Sequence, residues 1–193
     1  MINCKLVHIP KTGGRSMIKT LGRDIIATSD NTFLKRHYPD LNLDKDVFTF
    51  AFVRNPYDRL VSAFYFLHKL MKLNLTSQTV DNNFFKCTEH LKNKTFEEFI
   101  LDSSRGLNYA AENNIFFRPQ NYFIPNGADF IGRFENIDED FKTICSIIKV
   151  KHKKLLKYHK SNHDHYELYY TNNKIKEIVR KIYNDDFILY NYE

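Results

Sequence analysis

Leu6-Val7-His8-Ile9-Pro10-Lys11-Thr12-Gly13-Gly14-Arg15-Ser16 reads as an apolar strand that enters a tight loop and passes directly into a helix. The loop carries a lysine, two adjacent glycines and two hydroxyls. Glycines let main-chain N–H groups come close to an anion. The helix N-terminus adds the positive end of a dipole, and the lysine adds a point charge. A corner of this kind suits a phosphate group. It differs from the phosphate loop of nucleoside triphosphatases, in which the lysine follows the last glycine. Here Lys11 precedes Gly13 and Gly14. By itself the segment is equally readable as a strand–turn–helix corner with polar residues on its surface.

A second segment repeats the pattern about forty residues on: Phe50-Ala51-Phe52-Val53-Arg54-Asn55-Pro56-Tyr57-Asp58-Arg59-Leu60-Val61-Ser62. Arg54 stands where an almost wholly apolar strand (47–53) ends, as expected of a parallel strand covered on both faces. Asn55 is a good helix cap, Pro56 fits the first turn, and Asp58 lies near the positive end of the dipole. Arg59 and Ser62 interrupt an otherwise greasy helix and require partners. A bidentate arginine with a hydroxyl nearby suits a terminal phosphate. Taken separately, Arg54 could instead pair with Asp58, and Ser62 could bond its own helix backbone. Together, the two corners point to a ligand with two phosphate-like ends.

Further along, the pattern alternates strands and helices. Residues 3–9 form the first strand, and Met17, Ile18 and Leu21 mark the inner face of the helix after Gly13. Residues 24–28 form a second short strand. Leu60, Phe64, Leu67 and Met71 give one stripe of a helix running to about Lys72, with Val61, Tyr65 and Phe66 making its other sides apolar. Residues 74–94 are polar and weakly periodic, a loop. Thr95-Phe96-Glu97-Glu98 is a capping box. Residues 129–134 read as a strand, followed by Asn136 as the cap of a helix carrying Ile137, Phe141, Ile144 and Ile148. The basic run 149–160 is a connection. Ile175, Ile178, Val179 and Ile182 mark a last amphipathic helix, after which Phe187 and Tyr190 dock the tail. The stretch 114–123 has no decisive period. There are no repeats and no domain boundary. The expectation is one α/β domain over residues 1–193, a P-loop-like parallel sheet flanked by helices.

The 193-residue length suits one domain with a sizeable core, and 42% hydrophobic and 15% aromatic residues exclude a disordered chain. The net charge of +6 favours an anionic ligand. Cys4, Cys87 and Cys145 are odd in number and lack C-x-x-C spacing, which argues against a disulfide framework or zinc site. His152, His159, His163 and His165 match no standard zinc pattern and sit among lysines, so no metal is expected. No signal peptide or membrane span is visible, which points to a soluble or cytoplasmic protein.

With both corners in view, the chain resembles the PAPS-dependent sulfotransferases, in particular the carbohydrate sulfotransferases that include heparan 2-O- and chondroitin-type enzymes. The resemblance rests on His8–Ser16 and Phe52–Ser62. It implies that Lys11, Thr12, Gly13, Gly14, Arg15 and Ser16 bind the 5′-phosphosulfate end of 3′-phosphoadenosine 5′-phosphosulfate (PAPS). It implies that Arg54 and Ser62 hold the 3′-phosphate. Weaker likeness extends to Arg118–Phe123, Gly132–Asn136 with Asp140 and Phe141, Ile182–Phe187, and Lys160-Ser161, which in similar proteins lie in a loop over the nucleotide.

Sulfuryl transfer to an alcohol needs a group to take the hydroxyl proton, and a histidine suits that task. His37 precedes Arg54 by seventeen residues, the interval in which similar enzymes place their catalytic histidine. His8 is its rival, more naturally a packing or loop-shaping residue. Arg15 departs from the small hydroxyl residue common at its position. The expected reaction is transfer of a sulfuryl group from PAPS to a hydroxyl, on a glycan by family, releasing 3′-phosphoadenosine 5′-phosphate (PAP). Lys11 and His37 are its catalytic residues. A nucleotide-dependent kinase would need Mg²⁺ and a lysine after the glycines. A non-enzymatic binder of RNA or polyanions has no RNA-binding signature to support it, and no nucleic-acid partner is expected. Neither the acceptor's identity nor the oligomeric state is legible.

Overall fold

The computed structural model describes residues 3–22, 26–27, 47–72, 89–156 and 163–193. His37, Cys87, Lys160 and Ser161 lie outside the described residues. The chain divides into two compact units, residues 1–54 with 120–160, and residues 55–119 with 161–193.

The first unit holds the sheet. Strands β1 (Cys4–Val7), β2 (Ile26–Ala27), β3 (Phe48–Val53) and β4 (Phe130–Arg133) lie in the order β2-β1-β3-β4, with every neighbouring pair parallel. Ile26–Ala27, the described part of the expected strand at 24–28, is strand, and the expected strand at 129–134 is present but shorter. Leu6 pairs with Phe50, and Phe50 with Phe130. Because side chains alternate along a strand, Cys4, Leu6, Phe50 and Phe52 project to one face. There they pack with Met17, Ile18 and Leu21 of helix α1 (Gly14–Leu21). Phe141, Ile144 and Cys145 of α5 (Ile137–Ile147) complete this core, together with Ile148. Phe50 is fully buried, and burying one such side chain contributes about 2–3 kcal/mol. Val7, Ala51 and Val53, on the opposite face, are buried as well, which accounts for the almost wholly apolar run of β3, broken only by Thr49. Gly132 stands across from Phe52, and a Cβ there would strike the Phe52 ring.

The carboxylate of Asp129 accepts from the Thr49 N–H and hydroxyl at 2.6 and 2.9 Å, fastening the start of β4 to β3. Asn136 departs from expectation. Its side chain makes no capping bond to α5. A 3-10 turn, Phe134–Asn136, enters the helix instead, and the Asn136 amide donates to Asp140, whose carboxylate also accepts from the Arg133 N–H.

The second unit is helical. It contains α2 (Pro56–Lys72), α3 (Phe96–Leu101), α4 (Leu107–Asn113), α6 (Asn173–Ile182) and α7 (Asn184–Leu189). Asn55 caps α2 as expected, its Oδ1 accepting from the Tyr57 N–H at 2.9 Å. The capping box at α3 is complete: Thr95 Oγ1 accepts from the Glu98 N–H, and the Glu98 carboxylate accepts from the Thr95 N–H. Part of the expected loop 74–94 is a 3-10 turn, Glu89–Asn93. The tail folds into α7, with Phe187 buried and its ring packed at a tilt against Tyr57, centroids 4.9 Å apart.

Among the described residues Arg59 is the largest fully buried side chain. From α2 its guanidinium donates to the carbonyls of Phe116 and Arg118 and lies 5.6 Å from the Tyr183 ring centre. The Tyr183 hydroxyl donates to the Phe117 carbonyl at 2.7 Å. Three consecutive carbonyls of an irregular segment are thereby satisfied by two side chains, the requirement for burying such a segment. This resolves the state of residues 114–118, and Gln120–Phe123 form a 3-10 turn.

Candidate active site

The site grows from the C-terminal edge of β1 and β3, the end of a parallel sheet at which α/β proteins bind their ligands. β1 ends at Val7, and the chain turns through His8–Gly13 into α1. Two residues of this turn take left-handed backbone angles, Lys11 at φ 70° and Gly13 at φ 88°. Left-handed geometry is routine for glycine and uncommon for lysine. The Gly13 carbonyl accepts from the N–H of Ser16 at 2.9 Å, which starts α1 and leaves the Gly14 and Arg15 amides facing out of its N-terminal end. Neither glycine can be replaced without displacement. A Cβ on Gly13 would meet the Ile137 side chain, and one on Gly14 would meet the His8 imidazole. His8 therefore shapes the loop by packing under it, the secondary role weighed for it from the sequence.

Thr12 is buried, and its hydroxyl donates to the Ile9 carbonyl at 2.9 Å. In this structure that hydroxyl braces the turn, where the sequence suggested a donor to an anion. Ser16, half-buried in the first turn of α1, has its carbonyl capped by the Thr20 hydroxyl at 2.8 Å.

Arg54 leaves the end of β3 and turns toward the loop. Its Nη1 donates to the Lys11 carbonyl at 3.1 Å, and its guanidinium lies 4.1 Å from the Phe134 ring centre. Its main chain is held by Gln120, a residue to which sequence reasoning gave no role. Arg54 is 7% exposed and Gln120 wholly buried. Phe134 was likewise missed. Both fall within stretches noted as family landmarks, Arg118–Phe123 and Gly132–Asn136, and that was the only signal available for them.

Lys11, Arg15 and Arg54 thus form a cationic cluster around one turn. Burial, then the charges of Arg54 and Arg15, pull the Lys11 ammonium down to about 7. A lysine in that condition gains from a neighbouring anion on every count, because the anion offsets both the lost hydration and the repulsion. The expected phosphosulfate residues Lys11 to Ser16 and the expected 3′-phosphate residue Arg54 therefore lie together in the first unit. Ser62, fully buried in the second turn of α2, belongs to the second unit. Among the described residues no group of three or more His, Cys, Asp or Glu is placed to hold a metal ion, and no helix is long and apolar enough to cross a membrane.

A model of the sulfotransferase family matches residues 6–193, nearly the whole chain and both units. The chain belongs to the sulfotransferase family, whose reaction is sulfuryl transfer. No curated protein and no solved structure matches it.

Proposed function

We propose that the protein transfers a sulfuryl group from PAPS to a hydroxyl of an acceptor, a carbohydrate by family resemblance, and that residues 1–193 act as one sulfotransferase domain. The observation that carries this reading is the convergence of Lys11, Arg15 and the Arg54 guanidinium on the two-glycine turn. Three cations and the N-terminal amides of α1 fit a ligand with several negative charges. The geometry also fits a close approach by phosphate oxygens, since Gly13 and Gly14 present no side chain.

In this reading the Gly13, Gly14 and Arg15 amides, with Ser16, grip the 5′-phosphosulfate, and Thr12 keeps the turn in shape. The acceptor oxygen forms a bond to sulfur while the bond from sulfur to the bridging phosphate oxygen breaks. His37 takes the acceptor proton. Lys11 neutralises the negative charge gathering on the departing phosphate, the kind of fixed positive charge that stabilises such a transition state. PAP and the sulfate ester leave. Arg54 and Ser62 are assigned to the 3′-phosphate, and Lys160 and Ser161 to the nucleotide, on the sequence resemblance.

Two measurements test this. Calorimetry should show PAP binding with ATP and a short RNA binding far more weakly; preference for ATP with Mg²⁺ would indicate a kinase. Incubation with labelled PAPS across glycans, lipids and small alcohols should label one class, and Lys11→Ala should remove at least about 100-fold of that activity while leaving the fold intact. A fully active variant would exclude Lys11 from the chemistry.

A further inference from the structure

The register of β3 with β4 ends at Val53 opposite Arg133. Arg54 is the next residue, so its main-chain N–H and C=O have left the ladder while the residue remains buried. A buried backbone pair without partners is costly. The primary amide of Gln120, sixty-six residues away, takes both positions. Its Oε1 accepts from the Arg54 N–H at 2.9 Å, and its Nε2 donates to the Arg54 C=O at 2.9 Å. One side chain thus does for Arg54 what an adjoining strand would do, fixing the peptide planes on both sides of the residue.

We infer that Gln120 is a positioning residue that sets the 3′-phosphate selectivity of the site by locking the backbone from which the Arg54 guanidinium projects. The inference rests on the assignment of Arg54 to the 3′-phosphate. Its chemistry is specific. An amide offers one acceptor and one donor at fixed spacing. A carboxylate at the same position offers acceptors only, and its second oxygen would face the Arg54 carbonyl oxygen. A thioether of similar length offers neither group of useful strength. With the clamp gone, Arg54 would keep its bond to the Lys11 carbonyl and its stacking on Phe134, but the start of its side chain would no longer be fixed. A guanidinium fork needs that fixed start to meet a phosphate with two parallel bonds.

The experiment compares PAP with adenosine 5′-phosphate, which lacks only the 3′-phosphate, by calorimetry on the full chain and on Gln120→Glu and Gln120→Met. The readout is the ratio of the two affinities, always relative to wild type at the same pH. In both variants the ratio should fall by about tenfold at pH 8, from loss of two hydrogen bonds' worth of ordering. In Gln120→Glu it should recover as the pH is lowered to 6. A buried carboxyl protonates more readily than an exposed one, and its protonated form again offers one donor and one acceptor. Gln120→Met should show no such recovery. A merely structural role would weaken both nucleotides equally and leave the ratio at its wild-type value, which overturns the inference. A wild-type protein that fails to prefer PAP would instead overturn the assignment of Arg54, and the inference with it.

Discussion

The Arg54 guanidinium donates a 3.1 Å hydrogen bond to the main-chain carbonyl of Lys11, linking the end of β3 to the turn that follows β1. The two segments that drew notice in the sequence are therefore joined in the structure by one side chain. The bond orients the Lys11 peptide, whose residue holds a left-handed φ of 70°, and it places the Arg54 charge close enough to lower the Lys11 pKa. Like charges placed this way repel, and a bound anion offsets that repulsion.

Binding should take up a proton. Lys11 is held down to about 7 by burial and by Arg54 and Arg15, so at pH 8 it is mostly neutral in the free protein. A phosphate beside it raises its pKa. PAP affinity should then fall as the pH rises above 7, by at most about tenfold per unit. Calorimetry at pH 8 in buffers of different ionisation heat reads the proton directly.

The same lysine affects folding with a definite sign. Its ordinary value is 10.5; between 7 and 10.5 the unfolded chain keeps a proton that the folded chain has lost. Folding stability from this group therefore rises with pH across that window. Thermal melts of the ligand-free protein should show the rise, and Lys11→Met should flatten it.

Arg54→Lys keeps the charge and loses the planar fork. PAP affinity should drop by roughly tenfold to a hundredfold, whereas adenosine 5′-phosphosulfate, which has no 3′-phosphate, should bind nearly as before. Equal losses for both ligands would move Arg54 out of the 3′-phosphate site.

Gly14→Ala should destabilise the fold by about 1–3 kcal/mol, the usual range for overpacking, because the added methyl meets the His8 ring. Adding His8→Ala should return part of that loss. A double-mutant cycle by urea unfolding measures the coupling, and strictly additive effects would count against the contact.

Arg59→Ala should cost about 3 kcal/mol or more, since it leaves the Phe116 and Arg118 carbonyls without their donor in a buried segment. Unfolding midpoints in urea would show it. A shift below about 0.5 kcal/mol, the scale of surface substitutions, would mean the segment finds other donors.

What the sequence made legible were features with local causes. The strand–loop–helix corner at Leu6–Ser16, the greasy strand before Arg54, the Asn55 cap and the Thr95–Glu98 capping box all depend on neighbours within a few residues, and each is present. The partners of Arg54 and Arg59 were not legible. Arg59 was recognised as needing partners, yet those partners are main-chain carbonyls near residue 117, whose position only the folded chain sets. Gln120 and Phe134 reach Arg54 across 66 and 80 residues, and no periodicity encodes such a meeting. Asn136 misled because its side chain had a better use: Asp140 lies one turn on and accepts its amide at 3.0 Å.

The contact between His8 and Gly14 also limits how this loop can change. The imidazole occupies the volume that any side chain on Gly14 would need, so the first residue beyond β1 and the first residue of α1 cannot vary independently. Moving the lysine to the far side of the glycines, as triphosphate-cleaving proteins have it, would require rebuilding the strand end first. A single substitution in the turn would not be enough, and intermediates along that route would carry either a void or a collision.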